Sequence, residues 1–366
     1  MGYGVYVHIP FCAHRCDYCD FATWTDRAHL IDDYVDACIT DLGRRDAPTA
    51  TSVFFGGGTP SLIEGDQLAR IVAAIDVTSD AEITVECNPD SVDADKLHAY
   101  KDAGVNRLSF GVQSFAPHVL RALNRTHDPA NVERAIALAR AAGFDNVNAD
   151  IIYGTAGESA DDWRRTVDHV IALGVEHVSA YALTVEPPTP LGQRVAAGTA
   201  AAPDDDDQAD KYVVADEQLI AAGYGWYEIS NWARPGRECR HNQLYWEQGD
   251  YLAIGCAAHG HTTGRRWWNV RTPERYIERI AANESPEAGH ETLAAETRAD
   301  EAFTLALRTR SGAPVPPGTG AVVADLVAGG LLEPAPDGRV VCTRAGRLVA
   351  NDLTARILAA AVSTGR

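Results

Sequence analysis

Residues 6–21 read YVHIPFCAHRCDYCDF, and the rest of the chain takes its meaning from them. A β-branched and aromatic run ends at Pro10, which predicts a strand closed by a turn. Cys12, Cys16 and Cys19 follow at Cys-x3-Cys-x2-Cys spacing. Three thiolates this close can hold three corners of a cubane [4Fe-4S] cluster, the common meaning of a tight cysteine run in a reducing compartment. No fourth cysteine follows at short spacing. One iron is then left without a protein thiolate, and an open coordination position marks a reactive metal site rather than a structural one. The competing reading is a zinc knuckle completed by His8 or His14, although zinc ligands usually come as paired short spacings.

Working outward, strand-like runs alternate with helix-period segments, the pattern of βα units around a parallel sheet. Six strands are expected: Val5 to Ile9, Ser52 to Phe55, Glu82 to Cys87, Arg107 to Val112, Asn146 to Ile152 and His177 to Leu183. Leu30, Ile31, Tyr34, Val35, Cys38, Ile39 and Leu42 recur at three- and four-residue spacing, which makes an amphipathic helix. Ser159 with Asp162 resembles a capping box that opens another helix, with Trp163, Val167 and Ile171 inward. Six right-handed units leave a barrel open on one side, so the expected fold class is α/β, an incomplete (β/α)6 barrel.

In such a barrel the chemistry sits at the strand C-termini. The unusual residues fall there: the cysteines after the first strand, Gly56-Gly57-Gly58-Thr59-Pro60 after the second, Glu86 with Asn88-Pro89 after the third, Gln113 after the fourth, Asp150 and Tyr153 around the fifth. Three glycines alone say little, since any tight turn uses glycine; their position gives them weight.

Past Glu186 the alternation stops. Pro187-Pro188 and the small-residue, acidic stretch from Ala196 to Asp207 read as a connection, and Asp204 to Asp207 as a solvated helix start. A helix through Tyr212 to Ala222 and a strand or loop at Tyr227 to Trp232 follow. Next come RHNQLYW at 240–246 and AIGCAAHG at 253–260. From Glu296, a helix to Arg308, a helix from Ala321 to Ala328, Leu331 to Glu333, a Pro-Asp-Gly turn and Arg339 to Cys342 suggest a small C-terminal winged-helix-like α+β domain. The expected division is 1–190 for the barrel, 191–290 for a linker and HNQLYW-containing extension, and 291–366 for the C-terminal domain.

With 366 residues the chain has ample core to fold without staples. Eight cysteines and no basic–apolar–small N-terminal pattern point to a reducing, cytoplasmic setting, with Cys38, Cys87, Cys239, Cys256 and Cys342 as buried thiols. No apolar run approaches the ~18 residues of a membrane span. A net charge of -19 disfavours a nucleic-acid partner.

Taken together, YVHIPFC, CDYCDF, FFGGGTPS, ECNPD, RLSFGVQSF, NADIIYG, YALTVEP and HNQLYW resemble the radical S-adenosylmethionine (SAM) superfamily, in its oxygen-independent coproporphyrinogen III oxidase-like branch. The resemblance implies that the open iron chelates SAM. It further implies that Gly57, Gly58 and Thr59 border the methionine end, that Glu86, Gln113, Arg125 and Asp150 contact SAM, and that Tyr6 lies near the cofactor. The same residues have plainer readings: Tyr6 as an aromatic core residue, Glu86 as a solvated strand end, Arg125 and Asp150 as a rim pair. True porphyrinogen oxidases of this branch carry a cysteine two residues past the third ligand, where this chain has Phe21. That substitution favours the branch's haem chaperones, which bind haem and deliver it to apo-haemoproteins, over oxidative decarboxylation of coproporphyrinogen III. His241, beside Tyr245 and Trp246, is the candidate axial ligand of haem, with His259 and His261 behind it; a lone histidine is more often a hydrogen-bonded structural residue.

Overall fold

The computed structural model describes residues 2–363. Six parallel strands run side by side in chain order: β1 (Tyr3–Ile9), β2 (Ala50–Gly57), β3 (Val77–Cys87), β4 (Arg107–Gln113), β5 (Val147–Tyr153) and β6 (His177–Ala182). Their centres lie where the sequence places them. The helix expected from Leu30 spans Ile31–Gly43 and buries Tyr34, Val35, Cys38 and Leu42. Ser159 and Asp162 form the reciprocal capping box of helix Ala160–Ala172, with Trp163 and Val167 buried. All five cysteines outside the cluster motif are buried.

The sheet does not stop at six strands. β7 (Gly225–Glu228) and β8 (Asn231–Ala233) add antiparallel to β6 at one edge. At the other edge β9 (Asp250–Ile254) pairs parallel with β1 and carries β10 (His259–Thr262), β11 (Arg265–Asn269) and β12 (Glu287–Thr292). The result is one sheet of 12 strands. Residues 191–290 are therefore not a linker: Leu252, Ala253, Ile254, Trp267 and Tyr276 belong to the same apolar core as Val7, Val53 and Leu108. The strands there are short and rich in Gly, His and Trp, so they show neither period-2 alternation nor a β-branched run.

Alternation along β1 sends Val5, Val7 and Ile9 into the apolar core and Tyr6 and His8 to the opposite face, inside the barrel. That inner face is polar. Glu82, Thr84, Arg107, Ser109, Asn148, His177 and Ser179 are all buried there. Helix Arg240–Trp246, the HNQLYW segment, plugs it from below. His241 N–H and Cys239 Sγ donate to Glu82 Oε1, His241 Nδ1 pairs with Ser52 Oγ, and Asn242 Nδ2 donates to Glu228 Oε1. Ser52 and Glu82 lie in the first halves of the ladder between β2 and β3, so the plug closes the N-terminal end of the barrel and leaves the C-terminal end open.

After β12, helices Ala295–Ala306, Gly320–Ala328 and Ala350–Ser363 surround a small antiparallel sheet of β13 (Ala313–Pro314), β15 (Arg339–Cys342) and β14 (Leu332–Ala335), with a separate apolar cluster around Phe303, Leu307, Leu326, Leu353 and Ile357. The helix, helix, hairpin order expected from the sequence is present. Asp337 and Gly338 turn the hairpin with φ of 62° and 72°. Helices Arg344–Leu348 and Ala350–Ser363 extend it beyond that expectation.

Candidate functional site

The cysteine loop is held at both ends by backbone. Cys12 N–H donates to Trp24 O at 3.0 Å, Trp24 N–H to Pro10 O at 2.8 Å, and Leu191 N–H to Asp17 O at 2.9 Å. Asp17 also accepts from Asn124 Nδ2 at 2.8 Å and pairs with Arg194. The glycines after β2 dock against this loop. Gly58 and Thr59 N–H donate to Ile9 O and Phe11 O, each at 2.8 Å. A Cβ on Gly58 would meet those same carbonyls at 2.8 and 2.7 Å, and one on Gly57, at φ +108°, would meet the His8 ring at 2.4 Å. Only glycine lets the two backbones approach so closely.

A cavity of about 490 Å³ opens at the C-terminal end of the barrel. Cys12, Cys16 and Cys19 line it together with Gly57, Gly58, Thr59, Glu86, Gln113, Arg125 and Asp150. Ten of the positions singled out from the sequence thus line one cavity. Tyr6 does not: it lines a neighbouring cavity and its hydroxyl lies 3.1 Å from His8 Nδ1. His241 lies in neither cavity.

Thr59 Oγ1 donates to Cys12 Sγ at 3.6 Å and Arg125 Nη1 to Cys16 Sγ at 3.7 Å. Burial pushes the Cys12 thiol up and the Cys19 thiol up to about 11. Arg125 is held by donating through Nη2 to Gly111 O at 2.9 Å and through Nε to His127 Nδ1 at 3.0 Å. Among the described residues no three His, Cys, Asp or Glu side chains converge on a single ion position. The zinc reading also lacks its fourth ligand, since His8 Nε2 faces Ala22 O at 2.9 Å and His14 Nε2 faces Asn124 O at 3.0 Å. Three thiols on one wall with a guanidinium beside them fit an anionic multi-iron cluster, in which each thiolate takes its own iron.

Two carboxyl groups of the same lining, Glu86 and Asp150, have no ion pair among the described residues, and the nearby Arg107 guanidinium only partly offsets their burial. Burial, then the neighbouring Asp150, pushes Glu86 up to about 8, against the Gly57 N–H that reaches its Oε2 at 3.2 Å. Burial raises Asp150 too, although Ser109 Oγ and Asn148 Nδ2 donate to it at 2.8 and 2.9 Å. Strained carboxylates facing open space suit a cationic ligand, and SAM carries both an ammonium and a sulfonium. Gln113 sits at φ +63°, where the β4–β5 register shifts, a costly conformation of the kind found at ligand clamps.

Ser109 and Asn148, which aim Asp150, were missed from the sequence, as was Tyr181, which stands exposed in the cavity wall. Period-2 spacing carries the signal: Ser109 and Gly111 share a face of β4, and Asn148 and Asp150 a face of β5. The structure places His241 in the plug helix, away from both cavities. It is 1% exposed, its Nδ1 meets Ser52 Oγ and its Nε2 meets Tyr245 OH, each at 2.9 Å, and burial lowers its pKa to about 3. Phe21, by contrast, is 62% exposed and stands where the two cavities adjoin, lining both.

A barrel of this topology with a three-cysteine loop at its mouth agrees with comparison to known proteins. The Radical SAM superfamily profile matches residues 6–170. The heme chaperone HemW of Mycobacterium tuberculosis (strain CDC 1551 / Oshkosh) is 44% identical over 97% of this chain and 95% of its own length. HemW of Bacillus subtilis (strain 168) is 35% identical over 84% and 83%. Coproporphyrinogen III oxidase (HemN) from Escherichia coli superposes with a TM-score of 0.83 at 22% identity, covering 97% of this chain and 89% of that one, a likeness of fold. The chain belongs to the HemW family of radical SAM proteins. Among the described residues no helix is long and apolar enough to cross a membrane.

Proposed function

We propose that this chain is a cytoplasmic haem chaperone, which binds haem beside a [4Fe-4S] cluster and SAM and passes it to apo-haemoproteins. The observation that carries the reading is Phe21. The porphyrinogen oxidases that the motif resembles have a cysteine there, and this chain presents an exposed aromatic ring between two cavities. The names of the HemW relatives point the same way. Cys12, Cys16 and Cys19 would hold the cluster, with Arg125 offsetting its negative charge. Glu86, Asp150, Gln113 and the Gly57-Gly58-Thr59 segment would hold SAM. When bound, such a cluster supplies the electron that cleaves SAM; the residues of this chain orient the ligand and neutralise its charge.

Anaerobic reconstitution followed by haemin titration tests the reading, with SAM consumption followed in the same samples and in Cys12→Ala. The expected result is a stable Soret shift in both proteins, without SAM turnover being required. If wild-type protein gives no stable Soret shift, the proposal is lost. Formation of protoporphyrinogen IX from coproporphyrinogen III would establish the oxidase instead.

A further inference from the structure

The second cavity, about 690 Å³, opens beside the cluster cavity and shares the wall Asp20–Phe21 with it. Its volume falls within the range of sites for sizeable organic ligands. Its walls are aromatic: Phe21, Tyr6, Tyr245 and Tyr251. Three features of its lining point to a particular ligand.

The first is a histidine whose ring nitrogens are unclaimed. Around the barrel mouth and plug, the other candidate rings are occupied. His8 meets Tyr6 OH and Ala22 O, His241 meets Ser52 Oγ and Tyr245 OH, and His261 meets Gly249 O at 2.9 Å and accepts from Gly264 N–H at 3.1 Å. His259 has no hydrogen bond among the described residues. It is exposed at the start of β10, directly opposite Trp268 on β11, with the two ring centroids 6.1 Å apart. The second is Arg271, exposed on the cavity lip with no ion pair or hydrogen bond among the described residues. The third is Asn269, which lines the cavity at 2% exposure and keeps its Oδ1 without a hydrogen-bond partner.

We infer that this cavity is the site of a planar iron porphyrin, with His259 as axial ligand, Phe21 against the edge or face of the macrocycle, and Arg271 pairing with a propionate. The inference rests on the haem-binding reading above and names its site. An imidazole without a competing hydrogen bond is what axial ligation requires, since the lone pair must be free to reach iron. An exposed aromatic ring loses its contact with water against a flat apolar face, and an Arg fork matches a carboxylate bidentately. The placement of Tyr6 in this cavity rather than the SAM cavity has the same explanation: it forms part of the floor on which such a ring would lie.

The test uses the full chain with its cluster reconstituted, in wild type, His259→Gly and Arg271→Glu. Haemin and metal-free protoporphyrin IX are titrated in parallel, by absorption and by tryptophan quenching. For His259→Gly we expect at least tenfold weaker haemin binding and a displaced Soret maximum, restored by added imidazole, with protoporphyrin IX binding and iron and sulfide content unchanged. For Arg271→Glu we expect several-fold weaker binding of both tetrapyrroles. If wild type binds haemin and His259→Gly binds it with the same affinity and spectrum, the site is elsewhere and the inference fails while the haem reading stands. A loss that imidazole does not restore also overturns it, because iron coordination was then not what the ring supplied. If wild type itself binds no haemin, the broader haem reading fails.

Discussion

Glu86 is the residue at which the cavity's electrostatics can be measured without any cofactor. Its carboxyl is pushed from 4.5 up to about 8, chiefly by burial and then by Asp150. Below about pH 4.5 it is protonated in both folded and unfolded chains and costs nothing. Between that value and about 8 the unfolded chain gains by ionising while the folded one does not, so stability falls as pH rises across this window and the loss is complete above it. Glu86→Gln should therefore leave the thermal midpoint of the apo protein unchanged at pH 4.5 and raise it at pH 8, where the stability gained is on the order of a few kcal/mol. The same variant should weaken SAM binding at least tenfold by equilibrium dialysis, since the amide, unlike the carboxyl, cannot give up a proton to meet the ligand's positive charge. A midpoint gain equal at both pH values would mean that the carboxylate is not held protonated. Glu86, Gln113 and Asp150 were legible because strand ends in a barrel converge, and Arg125 joined them only through the family resemblance. Ser109 and Asn148 were not, because a small polar residue in a strand has many uses and only the cross-strand register between β4 and β5 shows that both serve Asp150. His259 was noticed only as a lesser member of a histidine-rich stretch. Its distinction, free ring nitrogens, is a property of neighbours that a sequence does not display.

Two elements govern how the barrel presents its site, one at each end. At the open end, Gly58 packs backbone against backbone with the cysteine loop, so a methyl there has no flexible side chain to displace. Gly58→Ala should cost roughly 1–3 kcal/mol in the thermal unfolding of the apo protein, as overpacking does. It should also lower iron incorporation on reconstitution, read as iron per chain, because the loop carrying Cys12 must move. At the closed end, helix Arg240–Trp246 is a structural plug. His241→Ala would leave Ser52 Oγ and Tyr245 OH without their partner and open a hole between β1 and the plug, at a cost of about 2–4 kcal/mol. Haemin affinity at a temperature where the variant is folded should match wild type. A selective loss of the Soret shift in folded His241→Ala would assign the ligand role to that residue. The plug also marks where sequence reading ran out. HNQLYW has the composition of a cofactor motif, aromatic and histidine-bearing, and those same properties suit a helix that must fill a polar barrel with hydrogen-bonding groups. Only the contacts with Glu82, Ser52 and Glu228 separate the two.

At the scale of the molecule, the C-terminal unit has its own apolar cluster and is joined to the barrel through a charged contact. Asp216, 0% exposed on helix Asp205–Ala221, accepts from Trp232 Nε1 at 2.9 Å and pairs with Arg344 Nε at 2.5 Å and Arg347 Nη2 at 3.0 Å. Both arginines lie on the C-terminal side of β15. Burial would raise the Asp216 carboxyl, but Arg347 and Trp232 outweigh it and hold it below the usual 3.8. The stabilising contribution is thus present above that value and is lost as pH falls through the lower, folded-state value. Removing the carboxylate strands the buried Arg347 guanidinium, while Arg344 keeps Glu217 at 3.0 Å, and breaking a buried pair on one side typically costs about 3–5 kcal/mol. Strands β1 to β6 and the cysteine loop lie outside this contact. Asp216→Leu should therefore give a first unfolding step at lower temperature, with trypsin cutting near Arg344 and Arg347 well before the barrel, while iron incorporation per folded chain stays at the wild-type level. Reversal to a neutral cluster should recover much of the loss: Asp216→Leu combined with Arg347→Met leaves one partly exposed arginine and a better-packed interface. A single cooperative transition shared by both units in Asp216→Leu would show instead that the barrel and the C-terminal unit fold as one body, with the apolar contacts between them outweighing the buried ion pair.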